Sequence, residues 1–211
     1  MILELHMHSH YSDGMYSPRV MAKHVKKLDL DGFALVDHET VKGHKDARAA
    51  AKEFGLEFVP GIEVAADKGH ILGLGVTEYI DKGPVEDVLE EIKSQGGVSV
   101  AAHPYDFFRH GIGGDLRKFK FDYVEGFNSR VVLLFLNYFA QKAAKELKLP
   151  MTAGSDAHDL ACLGLGTTRV DSIEDLYKGK AQMHKTEWAG IRRISVEKTQ
   201  RILRSVREST A

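Results

Sequence analysis

Ile2-Leu-Glu-Leu-His6-Met-His8-Ser-His10-Tyr-Ser-Asp13-Gly14-Met-Tyr-Ser17-Pro18-Arg19-Val-Met-Ala-Lys-His-Val-Lys-Lys-Leu28 decides the fold. A short apolar run, Ile2–His6, reads as a strand. It breaks at a polar, glycine-ended loop. Ser17 as N-cap and Pro18 at the first helical position then open a helix over Ser17–Leu28. The unit is a strand, a loop and a helix, and the histidines sit where the strand ends. In an extended segment His6 and His8 share a face. Asp13, from the following turn, adds a carboxylate to two imidazoles, a donor set suited to metal ions.

The same unit recurs along the 211 residues without any internal sequence repeat. Further strands are read at Gly32–Asp37, Glu57–Glu63, His70–Val76, Val98–Ala102, Tyr123–Phe127, Met151–Gly154 and Thr167–Val170. Further helices are read at Val41–Phe54, Val85–Gln95, Val131–Leu147 and Val196–Arg207. Glycines in Asp31-Gly32, Gly55 and Gly96-Gly97 fit helix ends that turn back into strands. Strands alternating with helices imply an α/β fold around a mostly parallel sheet.

Four more clusters follow the first: Asp37-His38-Glu39-Thr40, Gly61-Ile62-Glu63 with Gly69-His70, Ala102-His103-Pro104, and Gly154-Ser155-Asp156-Ala157-His158. Asp156 and His158 repeat the spacing of His6 and His8. A single histidine at a strand end is commonly a hydrogen-bonded structural residue. Five clusters, nearly all at C-terminal strand ends, point to the active-site mouth of an α/β barrel. His70 stands apart, because it begins its strand.

Composition narrows the classes. A hydrophobic fraction of 43% and a charged fraction of 28% are those of a globular protein, and a net charge of -1 argues no general affinity for nucleic acid or membrane. The single cysteine, Cys162, rules out an internal disulfide framework, and no apolar run is long enough to span a bilayer. The first residues lack a signal-peptide pattern, so a cytoplasmic location is expected. A cysteine-nucleophile phosphatase is disfavoured: its arginine would stand at 168, which is Thr168, with Arg169 one residue late. Cys162 is therefore read as a buried structural residue.

In order, HxHS…SDG, DHxT, GIEV, HILGLG, AHP and GSDAH resemble the polymerase and histidinol phosphatase (PHP) superfamily, over residues 6 to 158. The resemblance implies a distorted TIM-like barrel of about seven strands. It also implies nine metal-ligating, catalytic residues: His6, His8, Asp13, His38, Glu63, His70, His103, Asp156 and His158. One ion would take His6, His8, Glu63 and Asp156. A second would share Glu63 and take His70 and His103. A third would take Asp13, His38 and His158. The cofactors implied are three divalent ions, and imidazole with carboxylate suits zinc, manganese or iron alike.

The expected activity is hydrolysis of phosphate esters, either small phosphomonoesters or nucleotides, by a metal-activated hydroxide. An exonuclease or oligonucleotide trimmer with the same site is the first alternative. A single-strand track of interleaved aromatic and basic residues is missing, which makes nucleic acid the less favoured partner. A non-catalytic metal-binding scaffold is the second alternative, opposed by the full ligand set. Amidohydrolases also begin with HxH but have no place for Asp13 or the Asp156-x-His158 pair. Arg130, just past a strand end, is the leading candidate to hold the phosphate through its planar fork, followed by His10, Arg19 and Arg109. The chain is read as one barrel over residues 1–211. Residues 178–211 form a basic C-terminal extension or docked helix.

Overall fold

The computed structural model describes residues 1–190. The helix read at Val196–Arg207, and with it most of the basic extension, lies outside the described residues. Nine strands form a single sheet: β1 (Ile2–Met7), β2 (Gly32–Leu35), β3 (Glu57–Ala65), β4 (His70–Leu74), β5 (Val98–Ala101), β6 (Tyr123–Asn128), β7 (Met151–Gly154), β8 (Gly166–Arg169) and β9 (Gln182–Thr186). The helices are α1 (Pro18–Lys27), α2 (His44–Phe54), α3 (Val85–Ser94), α4 (Phe135–Leu147) and the short α5 (Ile173–Tyr177). The strand order is β7-β6-β5-β4-β3-β2-β1-β8-β9. None of the helices among the described residues is long and apolar enough to cross a membrane.

The class is the expected distorted α/β barrel, with more strands than the sequence reading counted. Strand direction also departs from the reading. β1, β2 and β3 run parallel, as do β5, β6 and β7, but β4 is antiparallel to both β3 and β5. β8 is antiparallel to β1, and β9 to β8. The reversal of β4 resolves the oddity of His70. A reversed strand begins at the mouth where its neighbours end, so the first residue of β4 faces the same rim as the last residues of the others. α5 and β9 were not read from the sequence, and β9 incorporates the start of the presumed extension into the sheet. The helix read from Val131 begins at Phe135, which leaves Arg130 in a turn at the end of β6.

Three apolar clusters divide the core. Leu3, Leu5, Ala34, Val36, Val59, Leu72, Val100 and Tyr123 fill the barrel interior. Met21 and Val25 of α1 and the alanine face of α2 pack on Met7, Phe33 and Leu35 outside it. α3 and α4 cover Ile62, Val64, Ile71 and Val124 on the other side. Along β1 this alternation breaks. Leu3 and Leu5 face inward, Met7 faces outward, and His6 also faces inward. The β1–β2 register shifts between Glu4 and Met7, which lets two successive side chains face the interior. The amide of His6 donates to Glu4 Oε1 at 3.1 Å.

Glu4 also closes the barrel. Its carboxylate accepts from the Ser155 amide and hydroxyl and from the Gly164 amide, tying β1 to the end of β7 and to the loop before β8. A Met7–Ala157 bridge and Thr168 Oγ1, which contacts both Ala153 N and O at 2.9 Å, complete the seam. A Cβ on Gly166 would stand 2.2 Å from Gly154 O, so side chains are excluded there. Burial lifts the Glu4 carboxyl to about 7, against four donors that hold the ionised form.

Replacing Glu4 with alanine strands those buried donors. The expected loss is about 3 kcal/mol, on the scale of a broken buried polar network. For a chain of this size that is a fall in Tm of roughly 6–12 °C, readable by calorimetry. An unchanged Tm would remove Glu4 from the closure of the barrel.

Candidate metal centre

The six inward strand ends bring all nine expected residues to one rim. Glu63, at the end of β3, is the hub. Its Oε2 lies 3.2 Å from His6 Nε2, 3.1 Å from His8 Nε2 and 3.6 Å from His38 Nδ1. Its Oε1 lies 2.8 Å from His70 Nδ1 and 3.2 Å from His103 Nε2. Asp156 Oδ1 faces the same space, 3.6 Å from His6 Nε2 and 3.4 Å from His8 Nε2. Asp13 closes the far side, with Oδ1 3.0 Å from His158 Nε2 and Oδ2 3.9 Å from His38 Nε2. Four overlapping groups have donor atoms within 4.8 Å of one another: His8/Asp13/His38/His158, His6/Glu63/His103, His6/His8/Asp156 and His38/Glu63/His70.

The donor set fits metal ions on two observations. Both ring nitrogens of His8 and Nδ1 of His103 are buried without a hydrogen-bond partner among the described residues. Buried polar atoms are rarely left so, unless something else meets them. The protonation pattern is the second. Burial works against charge on His6 and His8. Even so, Glu125, Asp156 and Glu63 hold His6 well above the usual histidine range, and Asp156 and Glu63 push His8 up to about 10. Burial also opposes ionisation of Glu63 and Asp156. The surrounding positive groups nonetheless keep both carboxyls well below their usual range. The carboxylates thus demand positive charge, which protons supply when no cation does. Burial, Arg130 and His8 push His158 down to about 3, and burial lowers His38 and His103, so these three imidazoles are held towards the neutral form that ligates metal.

A surrounding layer fixes the rings. Glu125, inward on β6, accepts from His6 Nδ1 at 2.8 Å, from the His103 amide at 2.7 Å and from Asn128 Nδ2 at 3.0 Å. Outer partners of this kind set the tautomer and orientation of ligating histidines. Asp37 accepts from the Ser9 amide and hydroxyl at 2.7 Å each and from Ser12 Oγ at 2.6 Å, pinning the loop that carries Asp13. Backbone strain collects at the rim: Glu39, His103 and Asp156 all have positive φ, at 47°, 29° and 53°. The sequence reading missed Glu125, Glu4 and Asn128. Glu125 did carry a signal, an acid at an inward position of an otherwise apolar strand.

The cations proposed for phosphate binding separate. Arg130 is buried at 8% exposure, its Nη1 3.2 Å from Asp156 Oδ1 and 2.9 Å from His158 Nδ1. Arg109 contacts Asp156 through Nη1, donates from Nε to Asp106 at 2.9 Å and from Nη2 to Asn128 Oδ1 at 3.0 Å. Both therefore border the centre. Arg19 does not. It is exposed on α1 and forms a bidentate pair with Glu53 near the end of α2. His10 is exposed and stacks on Tyr11 at 4.6 Å. Cys162 is buried in the core beneath α1 and α2, clear of the centre.

Divalent metal should stabilise this fold. At a hundred-fold excess over Kd the linkage is about 2.7 kcal/mol, or a rise in Tm of roughly 5–11 °C, reversed by chelation. Gly154→Ala should abolish that rise, because its Cβ would lie 2.5 Å from both His6 Cβ and Glu125 Oε1. A metal-induced shift that survives in Gly154→Ala would disconnect the β7 end from the centre.

The PHP domain family model matches residues 4–134, and the PHP-associated model matches residues 136–179. An uncharacterised protein of Methanocaldococcus jannaschii is 36% identical over 138 residues, covering 60% of this chain and 81% of its own length. A 5'-3' exoribonuclease of Haemophilus influenzae is 39% identical over 75 residues, 34% of this chain and 27% of that one. A phosphoribosyl 1,2-cyclic phosphate 1,2-diphosphodiesterase of Eggerthella lenta is 37% identical over 84 residues, 37% of this chain and 32% of that one. The chain thus spans about a third or less of these two enzymes. A solved structure from Bifidobacterium adolescentis, assigned as a metal-dependent phosphoesterase, superposes with a TM-score of 0.65 at 20% identity over 74% of this chain and 87% of that one, a likeness of fold. With both models matched in chain order over a rim of histidines and carboxylates, the chain belongs to the PHP family of metal-dependent phosphoesterases.

Proposed function

We propose that the chain hydrolyses phosphate monoesters of small metabolites or nucleotides, with three divalent ions held by the nine rim residues. The observation that carries this reading is the convergence of six histidines and three carboxylates on one buried space, with His8 set between Glu63 and Asp156. Bound there, divalent ions supply a nucleophilic water at neutral pH and neutralise charge on the phosphoryl oxygens.

The side chains do the rest. Glu63 turns Oε2 towards His6, His8 and His38 and Oε1 towards His70 and His103, so it would hold metal with both oxygens. Glu125 holds the His6 ring, and Asp37 holds the loop of Asp13. Arg109 and Arg130 both contact Asp156 at the edge of the centre, where either guanidinium would lie within reach of a phosphoryl group. Because Arg130 also touches Asp156 and His158, it orients ligands as well as substrate. A second reading, trimming of oligonucleotides, draws on Phe107 and Phe108, which stand 68% and 76% exposed beside Arg109 and offer faces for base stacking.

Elemental analysis after reconstitution should find about three ions per chain, of zinc, manganese or iron. Glu63→Gln should lower that number and abolish turnover of a phosphate-ester panel, while Cys162→Ser should keep most activity. Protein that takes up no stoichiometric metal would refute the proposed centre.

Arg130→Ala should lower kcat/KM by roughly ten-fold or more, the scale of a charged hydrogen bond. Arg130→Lys should recover part of the loss, because it restores charge without the fork. Steady-state kinetics that leave Arg130→Ala at native efficiency would make this arginine a purely structural partner of Asp156. Oligonucleotides in the same panel separate the second reading from the first.

A further inference from the structure

Val132-Leu133-Leu134-Phe135 is a run of successive exposed apolar residues that leads into α4. Tyr138 and Phe139, 63% and 43% exposed, continue it along the first turns of the helix. The rings form one surface. Phe135 meets Phe139 at 5.8 Å, Tyr138 meets Phe139 at 6.0 Å, and Tyr105, from the β5–β6 connection, meets Phe139 at 6.2 Å. Residues 131–141 hold no charged side chain. The N-cap of α4 is Leu134, which makes no side-chain hydrogen bond to the helix start. Ser, Thr, Asp or Asn would cap the helix there, so the stability of a lone chain does not account for the leucine.

We propose that this face pairs with the same face of a second copy of the chain, making a two-fold dimer. Area is the first argument. With roughly 150–250 Å² in a whole aromatic side chain, the exposed fractions amount to about 500–600 Å² of apolar surface. That is the upper end of the largest patch on a typical monomer, about 300–600 Å². A two-fold pairing covers it on both copies, roughly 1,000–1,200 Å² in all, which reaches the size of a specific interface. Charge is the second argument. A face without charges meets its own copy with no like-charge repulsion. A charged peptide or an anionic lipid surface is recognised by opposite charge, and residues 131–141 offer none. The pairing also borders the segments that carry the centre's arginines. Val132 follows Arg130 by two positions, and Tyr105 shares the β5–β6 connection with Arg109. The dimer does not depend on the hydrolase reading.

Sedimentation velocity on the full chain, followed across micromolar concentrations, tests the pairing. The native protein should sediment at twice the chain mass and dissociate on dilution. Tyr138→Asp, at an exposed position, should weaken the dimer by about ten-fold or more, the scale of an aromatic interface anchor. Val20→Asp, on α1, should leave it unchanged. Leu134→Ser guards against misfolding as the cause. It gives α4 a capping hydroxyl, so it should raise the Tm of the dilute, monomeric chain while weakening the dimer. The indole of Trp188, the single tryptophan, donates to Val131 O at 2.8 Å beside the face, so its emission should change on dilution of the native chain and stay constant in Tyr138→Asp. A chain that stays monomeric at the highest concentration overturns the proposal, whatever else then meets the face. So does a dimer that Tyr138→Asp and Leu134→Ser leave equally tight. Co-sedimentation of a monomeric chain with phosphatidylserine vesicles would assign the face to lipid and overturn it as well.

Discussion

Five histidines press on one buried carboxylate, and much of the structure answers that single contact. An ionised Glu63 inside a barrel needs positive charge, and burial gives it no water to lean on. His6, His8, His38, His70 and His103 surround it from four strand ends. Each ring in turn needs its other side held, and Glu125 does this for His6. The slip in β1 that turns His6 inward leans on Glu4, and Glu4 also seals β1 to β7. Site and fold therefore share residues, and the barrel could not keep its seam while discarding its centre.

Much of this was legible in the sequence because it is local. Strand periodicity, the Ser17-Pro18 helix start and the histidines at strand ends are written within a few residues of each other, and the PHP resemblance rested on such short motifs. Strand direction was not legible in the same way. The β3–β4 connection is Ala66 to Gly69, too short for a crossover to a parallel strand and long enough for a hairpin. That spacing was available as a signal, and it would have placed His70 at the rim. β8 gives no such clue, because its partner β1 is more than 150 residues distant in sequence.

The surrounding layer was hidden for a related reason. Glu4 and Glu125 reach partners far away in the chain as well as near ones, so a local window shows the acid but not what it holds. Their mark is parity and company: Glu125 shares the inward face of Tyr123, among apolar neighbours. The arginines show the opposite error. Arg19 stands in the right order along the chain, yet α1 carries it to the outer surface, where Glu53 takes it. Arg109 and Arg130 reach the centre from loops whose course depends on the packing of β5, β6 and α4.

The reversal of β4 also bears on the order in which the molecule assembles. β3 and β4 form a hairpin, so Glu63 and His70 meet across a few residues, a contact of low sequence separation that closes early. Asp156 and His158 reach the same space only when β7 meets β1, across about 150 residues of intervening chain, which is the slowest kind of closure. In a nascent chain, Glu63 and His70 follow His6, His8, Asp13 and His38 and precede His103, Asp156 and His158, so the donor set is completed only when β7 has been made. The rim is thus built from two kinds of closure, one local and early and one that waits for the barrel to shut.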